Sequence, residues 1–117
     1  MENETIKLNI DIEDVFKLDV RIGVITAAEK IEGTQLIKQQ VNFGEGIGSR
    51  QIVSKIAKNH TAEDLIGKHA TYILNLPTRE VRGVESQGMI VAAEDKESKM
   101  IILMTPELLA TPGSIVF

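Results

Sequence analysis

The sequence contains 117 residues, with a formal net charge of −4, 43% hydrophobic residues and no cysteine. This length supports a single hydrophobic core, so we expect one domain over residues 1–117. The absence of cysteine excludes disulfides and thiolate metal sites, and no apolar run reaches the roughly 18 residues that a membrane span needs. The first residues are acidic where a secretory signal peptide would be basic, which favours a cytoplasmic protein without a membrane partner.

The charge is distributed unevenly along the chain. Residues 1–14 contain one lysine and five acidic residues, whereas residues 15–117 contain 12 residues of each sign. We therefore expect an acidic amino-terminal arm over residues 1–11. Between residues 30 and 82 there are eight basic and five acidic residues. A polyanion-binding face is compatible with this local positive excess, although solvated lysines scattered over a surface would give the same composition.

The first half of the chain predicts one short helix and three strands. Asp11 is placed to cap a helix that ends near Leu18, and the strands follow from apolar residues with a period of two between turn-forming segments. Phe16 and Phe43 occupy core-like positions in these patterns. The three strands are predicted over residues 20–28, 36–43 and 50–56.

The second half predicts further short strands and little helix. Thr61 is placed to cap a helix that ends at Gly67, and Pro106 is typical of the first turn of another short helix in a carboxyl-terminal extension, residues 105–117. Short strands at close spacing, with one small helix between the third and the fourth, predict an all-β fold in the form of a small closed β-barrel. The four strands of this half are predicted over residues 69–76, 89–93, 100–104 and 114–117.

Residues 75–89 read NLPTREVRGVESQGM and combine cationic, uncharged polar and glycine residues. Arg79 and Arg82 can each hold a phosphate with a planar guanidinium, and Ser86 and Gln87 can donate to and accept from a ribose 2′-hydroxyl. We interpret the segment as a polyanion-binding loop with Met89 as its core anchor. The alternative is a long structural loop whose polar side chains satisfy backbone groups.

Aromatic residues are scarce, since the chain has three phenylalanines, one tyrosine and no tryptophan. Phe16 and Phe43 are expected in the core, and Tyr72 is expected as a half-buried barrel residue, which leaves few rings on which single-stranded bases could stack. Contacts to the backbone and 2′-hydroxyls of a folded RNA are therefore favoured over capture of single strands.

Signs of catalysis are missing from the sequence. His60 and His69 have no carboxylate at the spacing of a metal site or a general base, and we interpret both as surface or packing residues. The glycines at positions 44, 46 and 48 do not complete a phosphate-binding loop, because Ser49 follows and no helix begins there. We predict no catalytic residue, no metal and no cofactor.

Three separated strings carry a family resemblance. DVFKLDVRIGVITAAE, RQIVSKIAKNHTAEDLIGK and NLPTREVRGVESQGMIVAAED, in this order, resemble the tRNA-binding domain at the carboxyl end of many methionyl-tRNA synthetases. The same family includes free-standing tRNA-binding proteins, endothelial monocyte-activating polypeptide II and an export-related chaperone. The resemblance implies an OB-fold Greek-key barrel with terminal extensions that forms a homodimer and binds tRNA by shape rather than by sequence.

The resemblance also implies a set of site residues and partners. The chain departs from the common family pattern at residues 32–35, at Gln39, where leucine is common, and at Lys55, where glycine is common and where the lysine restores positive charge. The implied partners are tRNA and methionyl-tRNA synthetase, with a chaperone or protein-interaction module as the alternative. An apolar carboxyl end, residues 115–117, is compatible with the homodimer. The expected tRNA-binding residues are Arg50, Lys55, Asn75, Arg79, Arg82, Ser86, Gln87 and Met89.

Overall fold

The structure is a computed structural model that describes residues 5–117. Within these residues it contains two short helices and nine antiparallel strands, most of them wrapped into a nearly closed barrel of the OB type. The elements are α1 Ile12–Phe16, β1 Val20–Lys30, β2 Ile37–Asn42, β3 Ser49–Ser54, α2 Ala62–Leu65, β4 His69–Ile73, β5 Arg79–Val81, β6 Val84–Ser86, β7 Met89–Ile90, β8 Ala92–Glu94 and β9 Ile101–Leu103.

The long strand β1 organises the barrel, because each of its halves has a different partner. Its first half pairs with β4, from Val20 opposite Ile73 to Val24 opposite His69, and its second half pairs with β2. The register with β2 shifts between Ile25 and Ala27, which is a β-bulge. A bulge bends a strand and increases its twist, so β1 can serve both halves of a curved sheet. The resulting strand order is β3-β2-β1-β4-β7.

The core lies inside this curved sheet. Ile37 and Val41 on β2 and the following Phe43 are buried, as their alternation in the sequence predicted. The ring of Phe43 packs edge-on against Tyr72 of β4, with the ring centroids 5.5 Å apart. This T-shaped contact is a favourable arrangement of two aromatic rings and joins the two halves of the core.

A polar side chain, Gln39, also lies in the core. The Gln39 side chain is fully buried, and its Oε1 accepts a hydrogen bond of 2.7 Å from the Tyr72 hydroxyl. Its Nε2 donates to Ser54 Oγ at 2.9 Å. Buried polar groups are tolerated when their hydrogen bonds are made, and here glutamine, tyrosine and serine satisfy one another.

The α-helical predictions are partly confirmed. The Thr61 side chain accepts from Asp64 N at 3.2 Å and caps α2 as expected. Asp11 takes the N-cap position of α1, but its side chain makes no capping bond. Phe16 on α1 is 69% exposed, so its predicted place in the core was wrong. The amphipathic pattern of α1 therefore has no partner surface among residues 5–117.

The carboxyl-terminal segment differs from its prediction. No helix forms at Pro106, and the predicted strand over residues 114–117 is reduced to one bridge between Arg21 and Ile115. The segment is nevertheless tied to β1, since Ile22 N donates to Ser114 O at 2.9 Å and Val116 N donates to Val20 O at 2.8 Å. The segment lies along the edge of β1 that β2 leaves free. Its hydrogen bonds satisfy backbone groups of β1 there without forming a regular strand.

The predicted strand over residues 89–93 is divided into two. Met89–Ile90 pairs with β4, whereas Ala92–Glu94 pairs with β9 in a separate hairpin. The chain changes partner at Val91, whose backbone N–H donates to Thr71 O at 2.8 Å. None of the helices in residues 5–117 is long and apolar enough to cross a membrane.

Candidate nucleic-acid interface

The segment expected as a polyanion-binding loop contains a β-hairpin. Strands β5 and β6 pair with Arg79 opposite Ser86 and Val81 opposite Val84. Two residues connect them, and both have positive φ angles, 53° at Arg82 and 80° at Gly83. These angles are those of a type I′ turn, which matches the twist of two paired strands. Because each strand has three residues, the alternation was too short to be recognised in the sequence.

The hairpin separates its charges. Arg79 and Arg82 are exposed, and neither pairs with a carboxylate among the residues that the structure describes. Glu80 and Glu85 lie directly opposite each other in the register. Since neighbouring side chains in a strand point to opposite faces, Arg79 and this pair of glutamates occupy different faces of the hairpin. An incoming anion therefore meets Arg79 on one face of the hairpin and a repulsive pair of carboxylates on the other.

Ser86 lies in the interior and joins two parts of the barrel. Its side chain is fully buried, and Oγ accepts a hydrogen bond of 3.0 Å from Val53 N on β3. The same hydroxyl donates to Gly88 O at 3.1 Å. Both hydrogen-bonding roles of the hydroxyl are thus used inside the protein. The Ser86 hydroxyl thus satisfies backbone groups, as in the alternative interpretation of this segment as a structural loop.

Gln87 continues the same connection. Its Oε1 accepts from Gln51 N at 2.9 Å, and its backbone N–H donates to Gln51 O at 2.8 Å. Strand β3 would otherwise leave backbone groups unpaired at its edge, and such groups are costly when buried. Together Ser86 and Gln87 close the barrel between β3 and the β6–β7 connection, and we call these contacts the seam.

Gly88 allows the chain to approach the core at this point. A Cβ atom there would lie 2.8 Å from Ile73 O and 2.9 Å from Ile52 Cδ1, and its φ of 152° is unfavourable for other residues. The seam therefore depends on a residue without a side chain.

Arg50 and Asn75 also make internal contacts. Arg50 is half-buried, and its Nη1 donates to Leu74 O at 2.9 Å and to Gln87 O at 3.3 Å. Asn75 accepts from Asp19 N at 2.7 Å and donates to Lys17 O at 2.6 Å. The two side chains fasten the ends of the 75–89 segment to the barrel.

Met89 and Lys55 lie on the surface, beside Arg79. Met89 is 41% exposed, so its expected role as a core anchor was wrong, and Ile90 is the buried residue of β7. Lys55, Arg79 and Met89 border one shallow groove of about 250 Å³. Glu94 also lines this groove. Lys55 and Arg79 can contact a phosphate, and Met89 can contact the less polar part of a nucleotide.

Sequence reasoning missed a second cleft, on the other side of the hairpin. It measures about 460 Å³, and uncharged polar side chains dominate its lining. Gln40 Nε2 donates to Gln51 Oε1 at 2.9 Å, and Gln51 Nε2 donates to Glu85 O at 2.8 Å. The sequence does place glutamines on two predicted strands. It does not give the pairing register of these strands, so the contact between the glutamines could not be predicted. The lining residues are Gln40, Ser49, Gln51, Gly83, Val84, Glu85 and Gln87.

The remaining candidates make structural contacts. Tyr72 is fully buried, and burial raises the pKa of its hydroxyl, so it offers no stacking surface. His60 Nε2 lies 2.8 Å from Ile101 O. No group of three potential metal-ligating side chains occurs among residues 5–117.

These features define a class of protein, a small OB-type barrel with a cationic hairpin at its surface. The chain belongs to the tRNA-binding domain family, whose sequence model matches residues 20–114. It is similar to methionine–tRNA ligase from Porphyromonas gingivalis, with 40% identity over 92% of this chain and 16% of that protein. The corresponding enzyme of Archaeoglobus fulgidus is 46% identical over 94% of this chain and 16% of its own length. The chain thus spans about a sixth of these relatives.

Solved structures show the same fold. A MetRS-related protein from Pyrococcus horikoshii superposes with a TM-score of 0.85 and 34% identity, covering 95% of this chain and all of that one. The chaperone CsaA from Bacillus anthracis superposes with a TM-score of 0.85 and 29% identity, covering 94% of this chain and all of that one. The prediction of an OB-type barrel and the resemblance to the tRNA-binding domain family are confirmed.

Proposed function

We propose that this chain binds folded tRNA by shape, independently of sequence, through the exposed arginines of the β5–β6 hairpin, Arg79 and Arg82. One observation carries the proposal: Arg79 and Arg82 are exposed on a fixed hairpin and have no carboxylate partner among the described residues. Unpaired guanidinium groups on a rigid support favour phosphate contacts that carry no sequence information. Lys55 and Met89 extend this surface on the side of Arg79.

In this proposal the other expected site residues act indirectly. Ser86, Arg50 and Asn75 use their polar groups to hold the hairpin on the barrel, as their hydrogen bonds indicate. Their substitution would displace the arginines rather than remove a contact with RNA. Gln87 Oε1 has the same structural role, since it accepts from Gln51 N. This division of roles is supported by the burial of Ser86 and by the exposure of both arginines.

The binding role is non-catalytic and serves methionyl-tRNA synthetase in the cytoplasm. The similarity to a part of methionine–tRNA ligase supports a module that raises the local concentration of tRNA near the active site of the synthetase. The module would act either as a domain of the synthetase or as a separate partner of it. A homodimer would present two RNA-binding faces and increase avidity.

Titration of a tRNA transcript at several salt concentrations tests the proposal. Affinity is expected to fall as salt rises, and each of Arg79→Ala and Arg82→Asn is expected to weaken binding roughly tenfold and to lower the salt slope by about one. Lys30→Ala, which removes an exposed cation at the far end of β1, is the matched control and should change little. Affinity that responds to neither salt nor the arginine substitutions would overturn the proposal.

The homodimer rests on exposed apolar side chains at both ends of the described chain. Leu109 is 87% exposed, Ile115 62% and Phe16 69%, which is unusual for residues of this size. We expect a dimeric mass by light scattering and a monomeric mass for Ile115→Asp. A monomeric wild-type protein at micromolar concentration would contradict this part of the proposal.

The same exposed apolar side chains support a second candidate function, a chaperone or protein-interaction module. The similarity to CsaA favours it, because that protein is described as a chaperone. A competition experiment separates the two functions: an unfolded polypeptide should protect this protein from proteolysis if it is a chaperone, and tRNA should do so if it is an RNA-binding module.

A further inference from the structure

The glutamine-lined cleft beside the hairpin presents hydrogen-bonding groups whose polarity is fixed. Gln87 Oε1 faces the N–H of Gln51, which can only donate, and Gln51 Nε2 faces the carbonyl of Glu85, which can only accept. These two backbone partners determine the orientation of both amides. Because Gln51 Oε1 then acts as the acceptor, the amide group facing it from Gln40 must be Nε2.

This chain of bonds leaves two groups available on the cleft side of the hairpin. The amide Nε2 of Gln87 has no partner among residues 5–117, and neither has Oε1 of Gln40. One is a donor and the other an acceptor, and both belong to half-buried side chains. The ordering of these side chains has already occurred on folding, so a ligand that contacts them loses less conformational entropy.

The ligand must suit an uncharged pair of groups next to a carboxylate. Glu85 borders the cleft and would repel a phosphate there, whereas a hydroxyl can donate to one group and accept from the other. Arg82 immediately precedes Gly83 at the rim, where it can reach a phosphate adjacent to such a hydroxyl. The arrangement fits one ribose of an RNA backbone, with its 2′-hydroxyl in the cleft and a neighbouring phosphate at the turn.

We propose that the cleft formed by Gln40, Gln51 and Gln87 binds a ribose 2′-hydroxyl and thereby makes the domain selective for RNA over DNA. The inference rests on the proposed function and adds to it a residue, Gln40, that is a determinant of specificity rather than of charge. Gln40 is the better residue to change, because its side chain bonds to another side chain and supports no backbone group.

The experiment compares one tRNA transcript with its all-2′-deoxy counterpart by fluorescence titration. The wild-type protein is expected to prefer the RNA by roughly tenfold, the value of one hydrogen-bonding contact, and Gln40→Leu is expected to remove most of this preference while the affinity for the deoxy ligand stays unchanged. Gln40→Asn, whose amide is one methylene short of Gln51, should behave in the same way and guards against misfolding of the leucine variant. Gln35→Leu, at an exposed position outside the cleft, is the matched control.

The possible outcomes are separable. Equal losses for both ligands, an unchanged ratio in both variants, or a wild-type protein without RNA preference would each overturn the assignment of the cleft, while tRNA binding itself would stand. Absence of tRNA binding by the wild-type protein would instead overturn the proposed function. Loss of the RNA preference in both Gln40 variants, with Gln35→Leu unaffected, supports the inference.

Discussion

Ser86 and Val53 are 33 residues apart in the sequence, and the bond of 3.0 Å from Val53 N to Ser86 Oγ joins them across the barrel. A buried side chain performs the task that a backbone carbonyl performs in a regular sheet. The hairpin that carries Arg79 and Arg82 is thereby attached to β3 through its last residue.

Replacing Ser86 with alanine tests this attachment. The Val53 N–H would remain buried without a partner, and an unsatisfied buried donor costs about 1–3 kcal/mol of the free energy of unfolding. Urea denaturation measures the loss, with Ser49→Ala as the control at an exposed position. A variant as stable as the wild type would show that the seam has another support.

Replacement of Arg82 is expected to increase stability and to weaken tRNA binding. Its φ of 53° is costly for arginine, whereas asparagine is favoured at the first position of a type I′ turn. We expect Arg82→Asn to raise the free energy of unfolding by about 0.5–1 kcal/mol and to weaken tRNA binding in the same protein. Thermal denaturation and tRNA titration of one preparation measure both quantities. Unchanged tRNA affinity in the stabilised variant would mean that the arginine is not retained for RNA.

The buried polar group at Gln39 gives a prediction about stability. Gln39→Leu leaves the hydroxyls of Tyr72 and Ser54 without their glutamine partner, so we expect a loss of about 1–3 kcal/mol in the free energy of unfolding. Adding Tyr72→Phe to this variant should recover part of the loss, since it removes one unsatisfied group. Denaturant titration of both single variants and the double variant provides the cycle. Simple additivity of the two single losses would contradict the coupling.

The pH dependence of stability follows from Tyr72. Burial raises the pKa of its hydroxyl above the ordinary value of 10.0, so the folded protein retains a proton that the unfolded chain loses. This contribution to stability is complete below about pH 10 and declines as the pH rises above it. Because the chain has one tyrosine, tyrosinate absorbance reports this group alone. We expect Tyr72→Phe to lose less stability than the wild type over the same alkaline range, and equal losses would contradict the linkage.

The parts of the fold that were predictable have local signals in the sequence. β1 and β2 were recognised because their apolar residues alternate, β3 and β4 because glycine-containing turn segments precede them, and Thr61 because capping depends on local sequence. The exposure of Phe16 could not be predicted, because periodicity identifies an apolar face without showing whether any surface covers it. The role of Ser86 could not be predicted either, since its partner Val53 is distant in sequence and the bond depends on the closure of the barrel.

The candidate site followed the same rule. Arg79 and Arg82 were identified by residue type, and their exposure is a property of the hairpin that presents them. Gln40 and Gln51 were missed, since their significance lies in a shared hydrogen bond between two strands. The chemistry of a side chain can be read from the residue type at one position. A hydrogen bond between two side chains on neighbouring strands depends on the pairing register of those strands.

The seam also makes the hydrogen exchange of one backbone amide, Val53 N–H, dependent on the state of the hairpin. Val53 N–H is held by Ser86, and Ser86 belongs to the same hairpin as the two exposed arginines. Its hydrogen exchange is therefore controlled by opening of the hairpin, a smaller event than opening of the whole barrel. We expect a ligand that binds and stabilises the hairpin to slow the hydrogen exchange of Val53 N–H without contacting it. The exchange rate of a buried amide would then report binding at the protein surface.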